Sequence, residues 1–517
     1  MMLAGRVVTG AMLLVGARLM GRLIDFCALL VFARLLTPND FGVVAAAMTL
    51  ISLMEAIFEL PVGLVLVRTP NVESDHYDTA FTLSMLRGVL LGLLIACIAW
   101  PYAWAFDDFR LVPIILCLGW APMIRGCVSP HLWVNLRQLQ MGPDCLAQTV
   151  GKIGAFVVAM LVLALERNYW ALVVATVSSP AIMVATSYYL APYRPRLSLR
   201  QWRVFWDFLS WLGGAQFLAA LSWQCDRFVL GQLSSRAELG RYTMADSLAA
   251  LPIQALAAPA AAMLFPALGA IHVQHERLRR AFLIGLGGVY ILCLPIMVGL
   301  IVLAEPFCRT VLGPQWGEVV LPMQMLTAAG ALSLIAQPLG ALYNALGQTK
   351  AGMVRSILGL SIKLPLVLAG CFAGGLAGVA LARLVTEFIM FVVSAYSIRQ
   401  LTGASTKNIL SVLVRPVGAS AAMILALVVI QPLIGASDDP TIRGLILAAL
   451  VLAGALVYST TILMLWVLAQ RPAGLEARLM AIVHEALRRI ASRRGGLSLD
   501  SQAIVPVEVH GRPNRPG

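Results

Sequence analysis

The chain has 517 residues, of which 12% are charged and 60% hydrophobic, and its mean hydropathy is +0.86. An ordinary soluble domain carries about 25% charged residues, so a soluble protein of this length could not cover its surface with so few charges. These values exclude a soluble enzyme, a secreted disulfide scaffold and a disordered chain. They predict a polytopic membrane protein, and the net charge of +13 then fits basic loops beside anionic lipid headgroups rather than nucleic acid.

Apolar segments long enough to cross a bilayer follow one another along the chain. We expect fourteen, with twelve or thirteen as alternative counts, at approximately 12–36, 41–67, 80–105, 110–134, 143–165, 168–191, 204–232, 239–268, 280–304, 318–346, 352–372, 374–398, 410–434 and 442–469. The first is read as a retained span and not as a signal peptide, because its apolar run contains Arg18 and Arg22 and continues to Leu36.

Basic residues alternate between loops in a way that predicts the orientation of the chain. Arg194–Arg203 and Arg277–Arg280 follow the sixth and eighth segments, whereas the odd-numbered loops contain few basic residues. By the positive-inside rule, we expect a multi-pass membrane protein with both termini in the cytoplasm.

A polar turn recurs in the two halves of the sequence. Ala33–Gly42 aligns without a gap with Gly231–Gly240 at an offset of 198 residues, and the same offset places Pro61 on Pro259. Because an even number of segments separates the copies, they have the same topology and are related by an axis along the membrane normal. The predicted fold is an all-α bundle of two pseudo-symmetric six-helix lobes plus two extra helices, with a central cavity between the lobes.

The repeat and the composition together set the expected organisation of the chain. The units are an N-terminal lobe at 1–200, a C-terminal lobe at 201–400, two further spans at 401–470, and a cytoplasmic amphipathic helix with a disordered tail at 471–517.

Charged residues within the apolar segments are the strongest functional signal, since each costs about 2.5–3.5 kcal/mol in lipid and should face a partner or a wet cavity. Those expected at mid-depth are Arg18, Arg22, Asp25, Glu55, Glu59, Arg125, Lys152, Lys363, Arg383 and Glu387. Six cations against four anions predict a net-cationic cavity. At the repeat offset, the charges of the first two segments have no charged counterparts, so we expect them to belong to one lobe. Arg383 and Glu387 share a helix face and are expected to pair with each other.

These charges suit a large substrate with an anionic end. The candidate substrate ligands are Arg18, Arg22, Arg125, Lys152 and Lys363, since guanidinium groups can hold phosphate oxygens bidentately. If transport is coupled to an H⁺ or Na⁺ gradient, Asp25, Glu55 and Glu59 are the candidate carboxylates. Ion pairing that only fixes helix packing is the alternative role. Catalytic motifs, metal sites and cofactor sites are not expected, and a transporter is favoured over an enzyme.

Several short motifs resemble one known family. Ala33–Gly42 precedes an acidic second segment and Arg68, and Phe265–Leu268, Leu312–Trp316 and Gly374–Ala380 extend the similarity. The chain resembles polysaccharide flippases of the multidrug/oligosaccharidyl-lipid/polysaccharide exporter superfamily, and it is similar to their colanic-acid type over residues 5–465.

The resemblance implies a V-shaped bundle that moves undecaprenyl-diphosphate-linked oligosaccharide by alternating access, for exopolysaccharide or lipopolysaccharide synthesis. It implies that the protein is a monomer and that its partners are membrane lipids, a polymerase and a chain-length regulator. A lipid II flippase and a multidrug exporter of the same superfamily are alternatives, although the exporter would favour an acidic cavity. A membrane polymerase or glycosyltransferase would need a longer external loop.

Overall fold

The computed structural model describes residues 2–59, 62–68, 72–137, 142–433 and 439–470, and it leaves the side chains of 2–15, 17–18, 64, 67–68, 136–137 and 204–219 undescribed. Within these ranges the regular structure is helical, and no strand occurs. The expected amphipathic helix and tail at 471–517 lie outside the described residues.

The described residues of the first half form nine helices, most of which pack on one another. They are α1 (Met2–Leu35), α2 (Pro38–Ile57), α3 (Val62–Arg68), α4 (Ser74–Ala105), α5 (Leu111–Leu118), α6 (Trp120–Arg125), α7 (His131–Arg137), α8 (Gly142–Leu165) and α9 (Trp170–Leu190). Helix α8 lies between α1 and α9, and α4 packs against α5 and α6. We call this group the N-lobe.

The second half forms a comparable group, followed by two further helices. They are α10 (Trp202–Leu233), α11 (Arg236–Pro252), α12 (Ala258–Gly269), α13 (His275–Val302), α14 (Ala304–Phe307), α15 (Val320–Ser333), α16 (Ala336–Ala345), α17 (Thr349–Thr402), α18 (Thr406–Leu433) and α19 (Pro440–Leu468). Helices α10 to α17 form the C-lobe, and α18 packs between α13 and α19.

Ten helical segments among the described residues are long and apolar enough to cross a membrane. The longest, α17, is a hairpin of two helices, because its backbone leaves the helical conformation at Gly374 and reverses at Gly375, where φ is +53°. Gly370 and Gly378 let the two arms touch, since a Cβ on either would overlap the backbone carbonyl of the other. The apolar pattern of the sequence predicts two segments that meet at this turn. The total of fourteen spans stays a prediction.

The recurring polar turn forms the same structure in both lobes. The backbone N–H of Asp40 donates to Thr37 Oγ1 at 3.3 Å, and the backbone N–H of Thr37 donates to Asp40 Oδ2 at 3.0 Å. At the predicted offset, Ser235 and Glu238 exchange the same two bonds, both at 3.2 Å. Each pair is a capping box that satisfies orphan N–H groups at a helix start, so it fixes where α2 and α11 begin.

The two lobes meet through these repeated helices. A Cβ at Gly42 of α2 would overlap the carbonyl oxygen of Arg236, and a Cβ at Gly240 of α11 would overlap that of Pro38. These contacts are equivalent under the repeat, because Pro38 and Arg236 occupy the same position in the two copies. The lobes are therefore related by a pseudo-twofold axis between α2 and α11, and only glycine allows the helices to approach so closely.

Both copies also lose regular helix at equivalent positions of the repeat. Helix α2 ends at Ile57, and the corresponding part of the C-lobe, Ile253–Ala257, is a π-helical turn before α12. Such irregular backbone inside a membrane bundle is tolerated where it borders protein or a water-filled cavity. It marks the inner face of each lobe.

Candidate functional site

Three cavities lined by charged and apolar side chains lie along the inner faces of the lobes. The N-lobe chamber, about 760 Å³ and the most apolar of the three, is lined by residues of α2, α3, α4, α6, α7, α8 and α9. The inter-lobe chamber, about 390 Å³, lies between α1 and α8 on one side and residues 254–259 on the other. The C-lobe chamber, about 250 Å³, is bordered by α10, α11, α15 and both arms of α17.

The N-lobe chamber is built around the end of α2. Arg87 of α4 donates to the carbonyl oxygens of Phe58 at 2.5 Å and Glu55 at 3.2 Å. These carbonyls lie at the C-terminal end of α2, where Arg87 supplies donors in place of another turn. The side chain of Glu55 pairs with Arg125 at 2.9 Å, and exposed Glu59 lines the same chamber.

The inter-lobe chamber contains a charge cluster on α1 and α8. Lys152 Nζ lies 2.5 Å from Asp25 Oδ2, and Arg22 Nη1 lies 3.8 Å from the same oxygen. A Cβ on Gly21 would touch the Lys152 ammonium, so this glycine leaves room for the lysine to reach Asp25. Arg22 keeps 43% of its side chain exposed, and it lines the chamber together with Lys152.

The C-lobe holds a buried ion network that joins α10, α11 and α17. Asp226 is fully buried, and its two oxygens contact Lys363 at 2.7 Å and Arg383 at 3.2 Å. Arg383 also pairs with Asp246 at 2.9 Å, and Arg227 pairs with Asp246 at 2.8 Å. Three cations face two carboxylates, so the network carries one formal positive charge.

The three chambers adjoin one another. Asp144 and Gln148 border both the N-lobe and inter-lobe chambers, and Gln254 borders both the inter-lobe and C-lobe chambers. We call these three neighbouring chambers, which together reach from one lobe to the other, the polar route. Its described lining contains seven cations and five carboxylates, namely Arg22, Arg87, Arg125, Lys152, Arg355, Lys363 and Arg383 against Glu55, Glu59, Asp144, Asp246 and Glu387.

One end of the molecule is closed by contacts between the lobes, at the turns that the charge pattern predicts to be periplasmic. Trp316 Nε1 donates to the carbonyl of Ala33 at 2.8 Å, and Arg34 Nε donates to that of Val311 at 2.6 Å. Arg236 contacts Asp108 at 3.3 Å. We call this set the closed rim.

Asp108 in the closed rim has a perturbed pKa. Partial burial raises its pKa, but hydrogen bonds from Arg110 and Arg236 oppose that effect and leave the pKa below the usual value of an aspartate. The bonds from Arg110 are both 2.9 Å long. Asp108 is thus held ionised between the lobes.

A comparison with known families now places the chain. The family model described as polysaccharide biosynthesis protein matches residues 31–321, which is more than half of the sequence. The chain belongs to this family.

Curated relatives agree with this membership. The lipopolysaccharide biosynthesis protein WzxC of Escherichia coli K12 is 21% identical over 387 residues, which cover 73% of this chain and 78% of the relative. The succinoglycan biosynthesis transport protein ExoT of Rhizobium meliloti is 23% identical over 301 residues, which cover 57% of this chain and 60% of the relative.

Solved structures share the fold. The lipid II flippase MurJ in an inward closed conformation superposes with a TM-score of 0.68 at 14% identity, covering 89% of this chain and 99% of that one. An inward-facing multidrug MATE transporter of the MOP superfamily gives 0.53 at 15% identity, covering 78% and 100%. These matches confirm the expected all-α polytopic fold of the MOP type.

Most candidate residues of the first half lie on the polar route, but each candidate cation there forms an ion pair with a carboxylate. Arg22 and Lys152 share Asp25, whereas Arg125 pairs with Glu55. Their roles in binding and in ion coupling stay predictions, as does that of Glu59. The side chain of Arg18 is not among those that the structure describes.

The other candidate cation, Lys363, is bound within the protein. It borders the C-lobe chamber, but it is 6% exposed and its ammonium already contacts Asp226 and the carbonyl oxygen of Ser222. Because a substrate would have to displace both partners, Lys363 is not part of the proposed binding site.

One expectation about the charges is wrong, and three charged residues were overlooked. Asp226, Arg227 and Asp246 form the C-lobe network, and they were overlooked because they lie one to two turns from the ends of their segments. Arg383 pairs with Asp226 and Asp246 and not with Glu387, since two buried carboxylates on neighbouring helices outcompete one on its own helix. Listing every charge in an apolar segment, whatever its depth, would have found these residues.

Proposed function

We propose that this chain is a flippase that carries undecaprenyl-diphosphate-linked oligosaccharide across the bacterial inner membrane by alternating access. The observation that supports this most is the polar route across both lobes, closed at one rim, in a member of the polysaccharide biosynthesis protein family. A bilayer offers no path for a charged diphosphate and a polar saccharide, whereas such a route provides water and hydrogen-bond partners.

The inter-lobe chamber is the proposed site of the diphosphate. Arg22 contacts Asp25 at only 3.8 Å and is half-exposed, so its guanidinium has donors left for phosphate oxygens. Lys152 adds a second cation on the facing helix. Arg18 precedes Arg22 by one helical turn and is its proposed neighbour in the site, and Arg125 is the proposed cation of the adjoining chamber.

The energy source of the proposed cycle is an H⁺ or Na⁺ gradient, acting through Asp25, Glu55 or Glu59. Each of these carboxylates lies in or beside a chamber and is partly exposed, so an ion can reach it without dismantling the fold. Asp226 is a poorer candidate because Lys363 and Arg383 already neutralise it.

In this scheme the chain works as a monomer with both termini in the cytoplasm. It delivers its product to the polymerase and chain-length regulator of the same pathway, for exopolysaccharide or lipopolysaccharide synthesis. The closed rim then faces the periplasm, and the structure corresponds to a state that is shut on that side.

Removal of the protein tests the proposal. Cells without it should keep the lipid-linked saccharide on the cytoplasmic leaflet, where an impermeant reagent cannot label it in spheroplasts, and the intact gene should restore labelling. Equal labelling with and without the protein would contradict the proposal. Accumulation of the peptidoglycan precursor instead would identify a lipid II flippase.

A further inference from the structure

The N-lobe chamber has a feature that its charges do not explain. Trp133 of α7 lines the chamber and keeps 38% of its surface exposed. Gly63 of α3 lies against its ring, and a Cβ there would overlap ring atoms Cε3, Cδ2 and Cζ3. One face of the indole is thus fixed on a glycine backbone while the ring borders an open cavity.

The charge of this chamber differs from that of the rest of the route. Its described lining contains Glu55, Glu59 and Asp144 against Arg87 and Arg125, which leaves one formal negative charge. Such a chamber favours phosphate less than the two chambers with a net positive lining do. Carboxylates that accept and guanidiniums that donate hydrogen bonds around an aromatic face suit a neutral sugar ring, whose C–H groups stack on the indole while its hydroxyls reach the charged groups.

The volume and position of the chamber also fit a saccharide. About 760 Å³ lies within the roughly 300–1,000 Å³ of small-molecule sites. Asp144 and Gln148 line both this chamber and the inter-lobe chamber that holds the proposed diphosphate site. A sugar attached to that diphosphate would therefore lie next to this chamber.

We infer that the N-lobe chamber is the sugar subsite of the transporter, with Trp133 as the stacking platform and Glu55, Glu59 and Arg125 as hydroxyl partners. This inference rests on the proposed function, and it adds that the saccharide and the diphosphate are recognised in separate chambers.

Binding measurements on the purified full-length protein in detergent test it. The two probes are undecaprenyl diphosphate and the lipid-linked saccharide extracted from cells that lack the transporter. Wild-type protein should bind the saccharide-bearing lipid roughly tenfold more tightly. Trp133→Ala should abolish this gain while its affinity for undecaprenyl diphosphate stays the same, and Trp133→Phe should retain most of the gain.

Gly63→Ala provides a second, independent arm. Its methyl group would displace the indole, so it should reduce the gain in the wild-type background and have no further effect in Trp133→Ala. Three results would overturn the sugar subsite. The first is a full gain in affinity in Trp133→Ala, and the second is an equal effect of Gly63→Ala in both backgrounds. The third is wild-type protein that binds undecaprenyl diphosphate but shows no gain for the saccharide-bearing lipid. Wild-type protein that binds neither lipid would instead contradict the proposed function.

Discussion

The two lobes share a fold and a capping turn, yet their charged side chains differ in how far they are exposed. In the N-lobe, Asp25 is 40% exposed and its partners line a cavity. In the C-lobe, Asp226 is fully buried and held by Lys363, Arg383 and Tyr242. Partly exposed pairs are weak and easily rearranged, whereas a buried charge that loses its partner is strongly destabilising. We infer that the N-lobe charges serve transport and the C-lobe charges hold α10, α11 and α17 together.

The largest effect is expected from breaking the buried network. Asp226→Ala leaves Lys363 and Arg383 without a shared carboxylate, which should cost about 3–5 kcal/mol and sharply lower the amount of inserted protein. Immunoblots of membranes measure this directly. Glu305→Ala is the control, because Glu305 also pairs with an arginine, Arg309, but both side chains are more than half exposed. Normal levels of the Asp226 variant would refute a structural role for the network.

The lobe interface should show a smaller, symmetric effect. Gly42→Ala and Gly240→Ala each place a methyl group on a backbone carbonyl of the other lobe, so each should lower stability by about 1–3 kcal/mol. The melting temperature of purified protein reports this loss. Gly340→Ala, where no atom lies within 4 Å of the added Cβ, should leave it unchanged or raised. If only one of the two interface variants were affected, the pseudo-twofold contact would be wrong.

Ion coupling should respond to neutralisation of the N-lobe carboxylates without loss of fold. Because these groups are partly exposed, Asp25→Asn, Glu55→Gln and Glu59→Gln should each insert normally. The variant that removes the coupling group should abolish gradient-dependent transport of lipid-linked saccharide into proteoliposomes. Normal gradient dependence in all three would mean that coupling lies elsewhere or is absent.

The smallest effect concerns pH. Because the folded-state pKa of Asp108 is depressed, its ionised form stabilises the closed rim above its unfolded pKa of about 3.9, and this contribution is lost as the pH falls through the folded-state value. Asp108→Asn should therefore lower the free energy of unfolding at pH 7 by about 1 kcal/mol, seen as a lower melting temperature, and the difference from wild type should shrink as the pH falls below about 3.9. A difference that grows on acidification would contradict this sign.

Much of this architecture could be predicted from the sequence because it depends on local patterns. The repeat of Thr37 and Asp40 at Ser235 and Glu238 predicts both the symmetry and the helix starts, and the glycines around Gly374 predict the hairpin. Pairing between distant helices could not be predicted in this way. A single sequence gives the depth of a charge in the membrane, but not which neighbouring helix its side chain meets.

Polysaccharide exported per molecule of inserted protein tests the contrast between the lobes most directly, using Arg22→Ala and Lys363→Met. Arg22→Ala should insert normally but export about tenfold less per molecule, and Arg22→Lys should recover part of the loss. Lys363→Met should lower the amount of inserted protein, while each remaining molecule exports normally. Full export per molecule by Arg22→Ala, or normal insertion with no export by Lys363→Met, would contradict the division of roles between the lobes.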